Sequence, residues 1–251
     1  ASDRPIYLTL SGEVSADPKN YTLTHPYAFD AIRLDKEAIE FDDTNKGDKP
    51  TMDILVANTS NEVYTPVLMH LPPYLEAVAI PERIGKKGVG KIKVTLDTDR
   101  LPKFGLTTAT VYLSRFPGDK VSEENSIPVS AVLLPDFSNM SQQQRLNPPA
   151  VELSATELTI PPLADNAKKK LTVIVKNVGK GDLEITDLQV FNPALGVQLK
   201  KRVLKPGTQT KMKITAYGKY LKKVKGTPRV LMITNDPNCP KIIVKVNVTA
   251  K

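Results

Sequence analysis

Residues 229–248 read RVLMITNDPNCPKIIVKVNV. Two apolar, β-branched runs flank a turn made of Asn235, Asp236, Pro237, Asn238 and Pro240, which is the pattern of a β-hairpin. An isolated hairpin is marginal in water, so this one must close a larger sheet assembly. Looser forms of the same ending occur at Val111 to Leu134 and at Arg4 to Val14. The 21 prolines and the absence of Trp fit strands separated by fixed turns and disfavour long helices.

The pattern is also duplicated. Val151-Glu152-Leu153-Ser154 matches Ile32-Arg33-Leu34-Asp35 at an offset of 119. Val175-Lys176-Asn177-Val178-Gly179 matches Val56-Ala57-Asn58-Thr59-Ser60 at the same offset, and Lys211-Met212-Lys213-Ile214-Thr215 matches Lys91-Ile92-Lys93-Val94-Thr95 at 120. A near-constant offset indicates two copies of one unit with small loop changes. Within the first copy, Ile92, Val94 and Leu96 alternate with Lys91, Lys93 and Thr95, and turn clusters such as Asn45-Lys46-Gly47-Asp48 and Pro117-Gly118-Asp119 punctuate the strand signals. Short strands at this spacing predict antiparallel sandwiches.

The expected organisation is all-β. Residues 1–27 hold one strand and a polar linker. Residues 28–136 form a β-sandwich, 137–149 a Pro-rich linker with one helical turn near Asn139 to Arg145, and 150–251 a second β-sandwich. In the initial strand Ile6, Leu8 and Leu10 line one face and Tyr7, Thr9 and Ser11 the other. Its apolar side must be covered by the first sandwich, by a second copy of the chain in self-association, or by a preceding repeat.

Charge divides unevenly. Residues 148–251 hold 19 Lys+Arg and 7 Asp+Glu, a balance of +12, and residues 1–147 hold the remaining 16 and 20, a balance of −4. No run of about eighteen apolar residues is present to span a membrane, and no secretory signal pattern precedes the first strand.

Val173 to Gly179 (VIVKNVG), Lys91 to Asp97 (KIKVTLD) and Ile233 to Pro237 (ITNDP) resemble the motifs of an Ig-like repeat family of unknown function from secreted Bacteroidetes proteins, related to ASPM/Hydin and major-sperm-protein domains. The resemblance covers both copies and is looser in the first, where Ser114-Arg115-Phe116-Pro117 replaces the T-N-D-P. It implies tandem Ig-like sandwiches and a periplasmic or cell-surface location. Family members often carry Cys-Gly-Cys after the Asn-x-Gly strand; here Leu71-Pro72-Pro73 and Phe191-Asn192-Pro193 stand there, so no redox or metal role carries over.

Chemistry is sparse. His25 and His70 have no motif that would orient either as a base. Asp42-Asp43 and Asp97-Thr98-Asp99 lack the ligand number and spacing of a calcium loop. Gly85 to Gly90 has no following helix to cradle phosphate, and Cys239 is a bystander in a turn. Tyr27 and Tyr74 sit beside prolines where packing is the simpler role. Lys219, Tyr220, Lys222, Lys223 and Lys225 interleave cations with an aromatic ring. They read either as a patch for an anionic ligand or as solvated loop charge guarding sheet edges; Lys168 to Lys170 and Lys200 to Arg202 add further charge. The expectation is a non-enzymatic structural or interaction module with no cofactor and no metal, and a protein or glycan partner. Nucleic acid is disfavoured. The alternative is a binding module for an anionic polymer or glycan, carried by the basic second half.

Overall fold

The computed structural model describes residues 21–249. The expected strand from Pro5 to Val14 lies outside the described residues. The first half contributes α1 (Tyr21–Thr24), β1 (Tyr27–Phe29), β2 (Ile32–Leu34), β3 (Ile39–Thr44), β4 (Thr51–Asn58), β5 (Val67–Met69), β6 (Leu75–Ile80), β7 (Val89–Leu96), β8 (Gly105–Ser114) and β9 (Ser126–Leu133). A connection carrying α2 (Gln142–Leu146) leads to β10 (Val151–Leu153), β11 (Glu157–Ile160), β12 (Lys168–Asn177), β13 (Leu183–Val190), β14 (Leu195–Leu199), β15 (Val203–Leu204), β16 (Gln209–Tyr217), α3 (Gly218–Leu221), β17 (Arg229–Thr234) and β18 (Lys241–Val248).

These strands make four sheets: β1-β2-β4-β7-β6 and β3-β9-β8-β5 in the first half, and β10-β12-β16-β14 and β11-β18-β17-β13-β15 in the second. Each pair of sheets encloses its own core. Ile54, Ile92, Val94, Val111 and Ile127 meet in the first, and Val173, Val175, Met212, Ile214, Val230 and Val244 in the second. Alternation does the work: every second side chain along β16 (Thr210, Met212, Ile214, Ala216) is buried, and those between point outward.

The pairing is not wholly antiparallel, as the sequence pattern suggested. After the short strands β2 and β10, the chain changes sheet, and β3 pairs parallel with β9 while β11 pairs parallel with β18. The crossing strand runs the same way as the last strand of its unit, so both copies carry the same exception. The connection between the halves holds one capped helical turn, α2. Ser141 accepts from Gln144 N–H while the Gln144 side chain accepts from Ser141 N–H.

The halves also pack together. Leu106 and Val132 from β8 and β9 meet Leu231 and Ile233 from β17, with Phe191 and Ile243 around them. This third apolar cluster lies between the two cores. It explains why β9 and β17 are buried along nearly their whole length: one face of each points into its own core and the other into the neighbouring half. Full burial of such a side chain is worth about 1.5–3 kcal/mol.

Candidate functional site

The five residues of the basic patch lie on α3 and the turn after it, and the structure separates them. Lys219 stands 5.5 Å from the centroid of the exposed Tyr220 ring. Lys222 pairs with Asp165 at 2.6 Å, both in solvent. Lys223 reaches Glu123 of the first half at 3.5 Å. Lys225 donates to the Ser126 carbonyl, lies 3.3 Å from Ser126 Oγ and sits 5.5 Å over the Phe29 ring. Burial lowers the Lys225 pKa, and Glu37 nearby partly opposes that shift. Lys223 and Lys225 therefore face the first half, while Lys219, Tyr220 and Lys222 remain on the outside.

They belong to a larger polar rim around the third apolar cluster. Arg229 pairs with Glu40 and stacks 4.1 Å over Phe191. Lys241, largely buried, pairs with Asp43 at 2.9 Å and lies 3.8 Å from Asp42. Glu37 accepts from Gly226 N–H at 3.0 Å, and Asp187 accepts from Leu106 N–H at 3.4 Å. The acidic excess of one half thus meets the basic excess of the other. Like-signed fields would have kept the units apart; these draw them together.

The remaining candidates have local roles. His25 is buried, with Nδ1 2.8 Å from Thr24 Oγ1 and its ring edge-on to Tyr21; desolvation lowers its pKa, Asp35 opposing and Arg33 adding to the effect. His70 follows β5 at φ 60° and packs edge-on to Tyr112. Asp97 caps the turn at Thr98 to Arg100 and pairs with Lys49 at 3.3 Å. Tyr27 and Tyr74 pack against the first core. Burial, with Asp236 nearby, raises the Cys239 thiol pKa, so its reactive thiolate is disfavoured. Among the described residues, no group of three or more His, Cys, Asp or Glu side chains is arranged to hold a metal ion, and no helix is long and apolar enough to cross a membrane.

The T-N-D-P motif is a structural knot. Asp236 is buried and accepts from Val151 N–H and Asn238 N–H, each at 2.9 Å, which ties the last hairpin to β10. Asn235 accepts from Glu184 N–H at 2.8 Å and donates to the Asp182 carbonyl at 3.0 Å.

No family model matches the sequence, and no curated protein matches it. Among solved structures, the Pseudomonas aeruginosa CupB2 chaperone aligns at 9% identity over 84% of this chain and 98% of its own, with a TM-score of 0.30. The Escherichia coli chaperone DraB aligns at 11% identity over 86% and 98%, with the same TM-score. Both overlays are too poor to support an argument. A protein of unknown function from Porphyromonas gingivalis W83 aligns at 21% identity over 88% of this chain and all of its own, with a TM-score of 0.62; with that protein the chain shares an all-β fold.

Proposed function

We propose that this chain is a non-enzymatic interaction module of a bacterial cell envelope, two Ig-like sandwiches held as one rigid body that offers its outer sheet faces to a partner. The observation that carries this reading is the sheet-on-sheet contact of the two halves, apolar at its centre and ringed by Arg229–Glu40 and Lys241–Asp43. A module whose units are already fixed relative to each other loses less freedom when a partner touches both. The resemblance of Val173 to Gly179 and Ile233 to Pro237 to the secreted Ig-like repeats favours an envelope setting.

The test has two arms. Small-angle scattering of the full chain is expected to fit one arrangement of the two halves, and fractionation of expressing cells is expected to recover the protein from the envelope or medium. A broad distribution of inter-unit angles, or recovery from the cytosol, overturns the reading.

A second reading, binding of an anionic polymer, is favoured by the distribution of lysines in the second half.

A further inference from the structure

We propose that the outer face of the sheet β10-β12-β16-β14 binds a linear acidic polysaccharide. The proposal rests on the reading of the chain as a binding module and assigns that module a surface and a ligand class.

Lys168, Lys170 and Lys176 on β12 and Lys211 and Lys213 on β16 alternate with the core residues Val173, Val175, Met212 and Ile214, so they project from the opposite face. The register pairs Lys170 with Thr215, Lys213 with Thr172, Lys211 with Ile174 and Lys176 with Gln209. No lysine faces another directly. Lys170 and Lys213, and Lys211 and Lys176, are instead diagonal neighbours at about 7–8 Å, and Lys168 with Lys170 and Lys211 with Lys213 are two apart along their own strands. They form a rail that runs from Lys168 to Lys176, about 27 Å at the usual strand rise of about 3.4 Å per residue.

Two observations separate this rail from ordinary surface charge. Lysines that guard against edge pairing belong on edge strands, but β12 and β16 are the two central strands of this sheet. Further, Lys222 and Lys223 of the α3 turn have acidic partners at Asp165 and Glu123. Lys170, Lys176, Lys211 and Lys213 have no ion pair among the described residues. Glu152, the one carboxylate in the four strands, stands opposite Lys176 at the end of the row, and Lys168, Lys170, Lys211 and Lys213 have no acidic cross-strand neighbour. A row of uncompensated like charges repels itself, and a polyanion relieves that repulsion.

The ligand class follows from what adjoins the rail. At the β14 edge a groove of about 430 Å³ has an apolar floor of Leu188, Val197 and Leu199, and its rim carries Lys200, Arg202, Lys211 and Lys213. An acidic sugar has the matching duality, an apolar ring face and an anionic group. Single-stranded nucleic acid is held on successive aromatic rings, and this face has one, Tyr217, with Lys168 5.4 Å over it.

The experiment measures binding of the full chain to polygalacturonate, heparin, neutral dextran and oligothymidylate by calorimetry across a salt series. Wild type is expected to bind one or both acidic polysaccharides and not dextran; the stronger of the two identifies carboxylate or sulfate as the recognised group. K211E/K213E is expected to weaken that binding at least ten-fold and to flatten the salt dependence, each lost contact removing somewhat less than about one unit of slope. K219E/K222E changes net charge equally and is expected to stay within two-fold of wild type. K211Q/K213Q, checked for an unchanged melting temperature, keeps the result interpretable if charge reversal unfolds the chain, and is expected to lose most of the binding. Equal losses in K211E/K213E and K219E/K222E, tighter binding of oligothymidylate than of either polysaccharide at matched salt, or no polysaccharide binding overturns the proposal. Because scattering and fractionation are read separately, failure here leaves the module reading standing, and failure there is recognisable as its own.

Discussion

Asn58 and Asn177 do the same job 119 positions apart. Both are fully buried. Asn58 donates to the carbonyls of Glu62 (2.7 Å) and Gly85 (3.0 Å) and accepts from Ser60 N–H at 3.0 Å. Asn177 donates to Gly181 and Leu204 (2.8 Å each) and accepts from Gly179 N–H at 2.9 Å. Each of these three partners is displaced by the same 119 positions, so the duplication preserves a hydrogen-bonding device as well as a strand pattern. In each unit the amide staples the turn after a central strand to a distant loop. Asn177→Ala removes the side-chain partner of two carbonyls and of two N–H groups, Gly179 and, at 3.4 Å, Ala150, and should cost about 2–4 kcal/mol in urea unfolding. Asn177→Asp keeps the acceptor but loses both donors, and should be no better. A loss under about 1 kcal/mol would show that water or backbone relaxation replaces the amide.

Gly105 makes the two halves fit. It has φ +81°, and a Cβ there would collide with the Asp187 carboxylate of the second half. Gly105→Ala should therefore loosen the contact between the halves, seen as a larger radius of gyration in solution scattering. Gly207→Ala is the control: its φ is +74°, but a Cβ there meets nothing within 4 Å, so it should cost about 1 kcal/mol through the backbone alone and leave the overall dimensions unchanged. Equal dimensions for both variants would refute the steric account.

Much of this fold was legible in the residues, and the illegible part has a physical cause. Alternation along Lys91 to Asp97 announced β7, and the offset of 119 survives in the register, where Leu34 pairs with Val56 and Leu153 with Val175. The parallel pairing of Ile39 with Val129 joins residues ninety positions apart and leaves no local trace. The docking of the halves did leave one. Ala131 to Leu134 and Val230 to Ile233 are unbroken apolar runs, which a strand wet on one face does not need. Charge counting singled out Lys219 to Lys225 because they are close in sequence. Lys170 and Lys213 are more than forty positions apart, and only the register of β12 against β16 makes them neighbours.

The Arg229–Glu40 pair should be measurable as a coupling between the halves. Arg229 is mostly buried beneath this contact, while Glu40 is partly open to solvent, so a double-mutant cycle with Arg229→Ala and Glu40→Ala is expected to give about 1 kcal/mol, the upper end for exposed pairs. The coupling should shrink at 1 M salt, where the screening length falls to about 3 Å. Arg229→Lys should not restore it fully, because the flat guanidinium also covers Phe191. A coupling indistinguishable from zero at low salt would leave the apolar cluster as the sole adhesive.

In the first unit, Arg115 and Asp119 stand where the second unit has its T-N-D-P turn. Arg115 donates to Asp119 through Nε (2.9 Å), Nη2 (3.0 Å) and its backbone N–H (2.9 Å), and the carboxylate is almost wholly enclosed. The Arg115 hydrogen bonds hold the Asp119 pKa far below the usual carboxylate range. An unfolded Asp titrates near about 3.9, so between the two values the unfolded chain binds more protons and stability rises with pH. The contribution is complete at neutral pH and is lost as the pH falls through that interval. Asp119→Asn should destabilise the protein by about 2–4 kcal/mol at pH 7, somewhat less than for a fully buried pair because Arg115 retains Glu124 at 3.4 Å. The gap between variant and wild type should narrow steadily from pH 5 downward. A gap that stays constant into acid would mean that shape, not charge, is what Asp119 supplies.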